Sequence, residues 1–249
     1  HIVVEEKMDG ANCGVRFLPD ATLLLQSRGH ALLGGGRERH FALLKSWAAA
    51  HEDALLDVLG DRYGMYGEWM AAKHTVFYDR LPHYFLEFDL LDLSSQAFLS
   101  TAARRRVLAG TPVVSVPVLY EGPAPRRQED LLSLVVASKA KSTTWRAALR
   151  EEAVRQGISV ERVTAETENS DLSEGLYIKV EEDDRVVDRL KWVRQDFLQA
   201  LVDADGHWQS RPILPNRLAP GVDLFAPSPT SWADIATALA ADRAASTSG

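Results

Sequence analysis

The chain has 249 residues, 46% hydrophobic and 25% charged, with a formal net charge of -7. Such a composition excludes wholesale disorder, and the length suits one large domain or a main domain with a small appendage; the acidic balance argues against a protein that coats nucleic acid non-specifically, while leaving room for a local basic cleft. The single cysteine, Cys13, rules out an intrachain disulfide and fits a reducing, cytoplasmic compartment, no apolar run approaches the roughly 20 residues a bilayer requires, and no secretory pattern opens the chain.

The sequence starts at His1 rather than Met, already inside a strand-like run, which suggests an incomplete N-terminus. His1 to Val4 is β-branched and reads as a strand, with Lys7 to Asn12 as the turn or loop after it. Cys13 to Phe17 and Thr22 to Gln26 read as a hairpin around Pro19-Asp20, and Gly34-Gly35-Gly36 as a loop. Phe41 to Leu59 has helical spacing, with Phe41, Leu44, Trp47 and Ala48 on one face. Strands are expected at Tyr63 to Trp69, Tyr84 to Leu91 and Val113 to Leu119, and helices at Ala97 to Ala109, Asp130 to Ser138 and Trp145 to Gln156. Leu176 to Val180 and Val186 to Val193 pair around Asp183-Asp184. Leu214 to Pro229 is proline-rich, and the Ala/Ser-rich end, Ala240 to Gly249, reads as loose. Many strands with interspersed helices make the class α+β.

Chemistry concentrates first in Glu6-Lys7-Met8-Asp9-Gly10-Ala11-Asn12, directly after a strand. A lysine at a strand end, followed by Asp-Gly, meets a ligand at close range because glycine lets the backbone approach. To act as a nucleophile its amine must be neutral, at a cost of roughly 4–5 kcal/mol from a pKa of about 10.4, so nearby cations or desolvation must lower that pKa. Taken alone, such a string is more often a surface turn between strands.

Five further segments follow in order: Ser27-Arg28-Gly29-His30, Tyr66-Gly67-Glu68-Trp69, Tyr84 to Asp89, Glu174 to Lys179 and Arg189-Leu190-Lys191. With the lysine motif they resemble the motif series of the covalent nucleotidyltransferases, the superfamily of ATP-dependent ligases and mRNA capping enzymes, and are most similar to RNA ligases that seal nicks in duplex RNA. The resemblance runs from Lys7 to Arg194 and implies a nucleotidyltransferase (ATP-grasp-like) domain of antiparallel sheets flanked by helices. It implies ATP as AMP donor with Mg2+ or Mn2+, Lys7 as the residue that carries AMP, and Glu6 as the reader of the adenine amino group. Arg28 would touch the nucleotide sugar and the RNA end, Glu68 the ribose hydroxyls, and Phe88 (Phe85 as second choice) would stack on adenine. Glu174 and Asn12, with Asp9 beside them, would hold the metal. Arg189 and Lys191 would contact the α-phosphate and pyrophosphate; the family usually has lysine where Arg189 stands, which changes the geometry there. Lys179, at the end of the preceding strand, could share the phosphate work.

For nucleic acid the candidates are Arg28, Lys73, His74 and Arg37, with Arg39 and His40 close by, whereas Arg104-Arg105-Arg106 reads as a solvated helix face. The histidines lack metal-ligand spacing, and Cys13 reads as a small buried side chain. Residues 1–194 carry every motif as an adenylyltransferase domain. Residues 195–249 form a short extension, too short for an OB-fold, packed on that domain through Trp208, Phe225 and Trp232. The implied partners are RNA ends or nicks, with an end-healing enzyme or RNA-binding subunit as a companion, and no membrane. A DNA nick ligase would share every site residue. A GTP-using capping enzyme is disfavoured by Glu6. A non-catalytic end-binding module has no need of the set Lys7, Glu68, Glu174 and Lys191.

Overall fold

A computed structural model describes residues 1–198 and 213–247, apart from the side chains of 36–37 and 241–247. Strand β1 (Ile2–Lys7) is buried on both faces, as its β-branched run requires. It lies antiparallel between β10 (Gly175–Glu182) and β9 (Val118–Gly122), and β11 (Arg185–Val193) pairs with the free side of β10. A second sheet has the order β4 (His30–Ala31), β3 (Leu23–Ser27), β2 (Ala11–Phe17), β5 (Tyr63–Trp69), β6 (Phe85–Asp92), β7 (Ala97–Phe98), and the short β8 (Val114–Ser115) joins β6 in parallel. The class is α+β: antiparallel sheets flanked by helices.

Helices α1 (Ala42–Ala50) and α2 (Glu52–Leu59) cover the second sheet, burying Leu44, Trp47, Leu55 and Leu59 against Val15, Phe17, Met65 and Phe85. The spacing predicted one continuous helix here; the structure breaks it at His51, whose φ of -115° leaves the helical region. The stretch Ala97 to Ala109 also divides, into β7 and α3 (Thr101–Val107). Ser100 caps that helix by accepting from the Ala103 N–H. The outer face of the first sheet buries Ile2, Val4, Leu176 and Ile178 beneath Leu131, Leu134 and Val135, in and just after α4 (Gln128–Leu132). Helix α5 (Trp145–Arg155) packs on α6 (Val160–Ala165), an element the sequence reading did not contain.

Between the sheets lies an ionic layer. Arg104 of α3 is 1% exposed and donates to Glu5 of β1 and to Glu87 of β6, the latter at 2.7 Å. Lys179 of β10, 0% exposed, is 2.9 Å from Glu5 and 3.1 Å from Asp89, and donates to the Phe88 carbonyl. The solvated-face reading therefore fails for Arg104, which points inward, and holds for Arg105 and Arg106. Charges this deep are tolerated because each faces an opposite charge and a hydrogen-bond partner.

Residues 213–235 return across the domain. Asn216, 1% exposed, donates to the Met70 carbonyl at 2.7 Å and accepts from the Tyr78 N–H at 2.9 Å. The Trp232 indole donates to the Ser115 carbonyl at 2.8 Å, whereas Phe225 is 42% exposed and anchors nothing; Trp208 lies outside the described residues. Helix α7 (Trp232–Thr247) runs through the stretch read as loose, its alanines being strong helix formers. Among the described residues no helix is long and apolar enough to cross a membrane.

Candidate active site

The open ends of β1 and β10 meet the second sheet around a cavity of about 640 Å³. Its lining includes Glu6, Lys7, Asn12, Glu68, Phe88, Arg189 and Lys191, seven residues that the sequence singled out across nearly the whole chain. Strand pairing explains the convergence. Lys7 is opposite Gly175 on β10, Asn12 is opposite Glu68 on β5, and Lys191 is opposite Tyr177. Two glycines permit this closeness. A Cβ on Gly10 would lie 2.6 Å from Met70 Sδ and 2.9 Å from the Trp69 carbonyl oxygen, and one on Gly175 would lie 2.0 Å from the Trp192 carbonyl oxygen.

The Lys7 amine sits 2.7 Å from Glu174 Oε1. Burial pulls its pKa down, but the charge and hydrogen bond of Glu174, helped by Glu68 and Asp9, outweigh burial and leave it raised. Burial pushes Glu68 up to about 8 against the pull of Lys7, and Glu174 up to about 7. One buried oxygen of each, Oε2, has no hydrogen-bond partner. Glu6 is 2% exposed, its pKa is raised by burial, and its Oε2 accepts from the Lys139 N–H at 3.1 Å while Oε1 has no partner.

Other expected residues are placed differently. Asp9 lies next to this centre but spends one oxygen on the Thr75 and Val76 N–H groups, both at 2.7 Å, so it fixes the loop between β5 and β6. Arg28 is exposed in the β3–β4 turn with a φ of 43°, outside the lining but near enough for its charge to act on Glu68 and His74. Lys73 donates to the His74 and Glu166 carbonyls at 3.1 and 2.9 Å, and His74 is 6% exposed with its pKa lowered by burial to about 4. Both therefore face inward. The Arg37 side chain lies outside the described residues. Lys179 stands within β10 in the ionic layer and does not line the cavity. Arg189 lines it, yet its guanidinium holds Asp89 at 2.8 Å and covers the Phe98 ring at 3.8 Å. Cys13 is 0% exposed.

The sequence reading missed Tyr66, Phe98 and Tyr177 in the lining, and Asp89, which accepts from the Tyr177 hydroxyl at 2.9 Å. Alternation held the signal for Asp89 and Tyr177. Glu87 and Asp89 break an apolar strand at every second residue, and Tyr177 and Lys179 do the same on β10 of the other sheet.

Comparison with known proteins agrees with this geometry. The family model for RNA ligase matches residues 1–193, so the chain belongs to the RNA ligase family. Solved structures of a Naegleria gruberi RNA ligase share the fold. A mutant with ATP and Mn is 16% identical, over 81% of this chain and 51% of that one, at a TM-score of 0.52. The form with PPi is 18% identical, over 81% and 52%, at 0.52. A mutant with AMP and Mn is 16% identical, over 81% and 52%, at 0.51. The chain thus spans about half the length of these relatives. Among curated proteins none matches.

Proposed function

We propose that the protein is an ATP-dependent RNA ligase that joins 5′-phosphate to 3′-hydroxyl ends through lysyl-AMP and adenylylated-RNA intermediates, in RNA repair. The observation that carries this reading is Lys7, at the wall of a nucleotide-sized cavity and bonded behind it to Glu174. ATP, AMP, pyrophosphate and manganese accompany the Naegleria gruberi structures of the same fold, which supports ATP as the substrate.

The residues present fit a divalent cation. Glu68 and Glu174 each offer a buried oxygen without a partner, and Asn12 lies opposite Glu68. These are hard oxygen donors, as Mg2+ and Mn2+ prefer. Among the described residues no three His, Cys, Asp or Glu side chains form a metal cage, so waters and phosphate oxygens would complete the shell. A cation there would offset the carboxylates that keep Lys7 protonated and lower its pKa.

Lys7 first sheds its proton. Its nitrogen then attacks the α-phosphorus, the N–P bond forming as the bond to the bridging oxygen breaks and pyrophosphate leaves. Lys191, exposed at the cavity wall, meets the charge that develops on the phosphates. Glu6 reads the adenine amino group with a carboxylate oxygen, Phe88 supplies the ring against the base, and Glu68 takes the ribose hydroxyls. AMP then passes to an RNA 5′-phosphate, and a 3′-hydroxyl displaces it.

The test uses ATP labelled on the α-phosphorus, with magnesium. Label should remain on the denatured wild-type protein, should be absent from Lys7→Ala, and should not come from GTP. Folded, AMP-free protein that takes no label would overturn the reading. Sealing assays on all-RNA, mixed and all-DNA nicks then decide whether RNA is the substrate.

A further inference from the structure

The Phe98–Arg189 pair forms one wall of the nucleotide cavity and also borders a second space. A separate cleft of about 340 Å³ is lined by Phe98, Val186, Val187, Asp188 and Arg189. The pair is built as a stack. The Arg189 guanidinium lies 3.8 Å from the Phe98 centroid, and Tyr66, tilted by 52° with its centroid 6.2 Å away, supports the Phe98 ring. Asp89 takes the guanidinium at 2.8 Å and holds it in place. With one face on Phe98 and an edge on Asp89, the Arg189 side chain is still 37% exposed, which leaves its remaining surface to the outside.

The strand is shaped to open this cleft. In the pairing of β10 with β11, Glu181 is opposite Val186 while Val180 is opposite Asp188, so Val187 is the extra residue of a β-bulge. Bulges re-aim side chains beside functional sites. Here the bulge leaves Val187 52% exposed at the edge of its sheet.

We infer that the Phe98–Arg189 stack is a platform for an unpaired nucleobase of the RNA strand, next to the nucleotide cavity and distinct from it. Guanidinium planes and aromatic rings are the surfaces on which splayed-out bases stack. The lining favours a base over a phosphate. Asp188 is the carboxylate of the cleft; it repels a phosphate but can accept from an exocyclic amine. This assignment rests on the RNA ligase reading. It also gives the arginine a role that lysine could not fill, because an ammonium has no plane to stack.

The experiment uses a nicked RNA duplex whose 5′ end is already adenylylated, with 2-aminopurine at successive nucleotides on either side of the break. Wild-type protein should quench one position strongly. Arg189→Lys keeps the charge and removes the plane. Val187→Glu, on the exposed bulge and away from the core, crowds the cleft with a second carboxylate. Each should abolish the quench and weaken nick binding about tenfold. Wild-type protein that forms lysyl-AMP but quenches at no position, or a quench that survives either substitution, overturns the platform alone. Wild-type protein that neither takes label from ATP nor binds the nick overturns the ligase reading and the platform with it.

Discussion

Two charged regions meet on β1, at Glu5 and at Lys7 two positions on, and they are built in opposite ways. In the ionic layer, Glu5, Glu87 and Asp89 face Arg104, Lys179 and Arg189, three charges of each sign. At the cavity, the Lys7 amine is bonded to Glu174, and Glu68 and Asp9 add two further negative charges nearby. The first region balances its charges and joins the sheets, and its two oxygens without a hydrogen bond, Glu5 Oε2 and Asp89 Oδ1, still lie 2.9 and 3.1 Å from the Lys179 amine. The second leaves carboxylate oxygens without partners and raises the pKa of three of its groups. Fold and function therefore separate by electrostatic completeness, although Glu5 and Lys7 point from the same face of β1.

That contrast breaks most directly at Arg104. Arg104→Ala removes the cation paired with Glu87 and one of the two paired with Glu5, and should cost about 3–5 kcal/mol of stability, read from urea unfolding; a loss under 1 kcal/mol would mean that the layer does not join the sheets. Next is Lys191→Ala, expected to slow lysyl-AMP formation about a hundred- to a thousandfold with the unfolding midpoint unchanged. A matching fall in stability instead would place Lys191 in the structural region.

The carboxylate pair gives a smaller, pH-dependent effect. Folded Glu68 and Glu174 have pKa values raised to about 8 and 7, so they hold protons that the unfolded carboxyls release. Their contribution is fully present below about pH 4.5 and is lost as pH rises through 7 to 8. Without divalent cation, Glu68→Gln should flatten that fall and stabilise the protein by about 1–3 kcal/mol at pH 8.5, the cavity's opening to water limiting the gain. Parallel stability curves for the two proteins would contradict it. The smallest effect belongs to Arg105→Ala. Its pair with Glu121 is about half exposed on both sides, and the loss should stay below roughly 0.5 kcal/mol by the same unfolding measurement. A loss comparable to that of Arg104→Ala would erase the distinction between neighbouring arginines.

The site was legible where chemistry constrains residue type locally. Lys7 with Gly10, Glu68 behind Gly67, and Glu174 ahead of Gly175 are short strings in which a reactive side chain and the glycine that lets a neighbour close in are adjacent in sequence. The long strands were legible from their alternation, and β10 with β11 from the acidic turn between them. What stayed hidden depends on distant partners. Arg104 looks like its exposed neighbours until α3 docks on Glu5, 99 positions away. Asp89, 100 positions away, holds the Arg189 guanidinium, and the local sequence carries no trace of that bond. Residues 213–224 have no period, because they follow the surface of the domain instead of forming a ladder of their own.

The central place of β1 has a consequence for how the chain is made. Lys7 pairs with Gly175, so at 5–20 residues per second the ribosome needs roughly 10–35 s to deliver the partner strand of β1. Through that interval Val3 and Val4, fully buried in the finished protein, have no β10 to lie against. Nascent chains halted before residue 175 should leave the Lys7 amine open to acylating reagents, and chains released at full length should shield it. Lys7 is thus synthesised well before the strand that houses it.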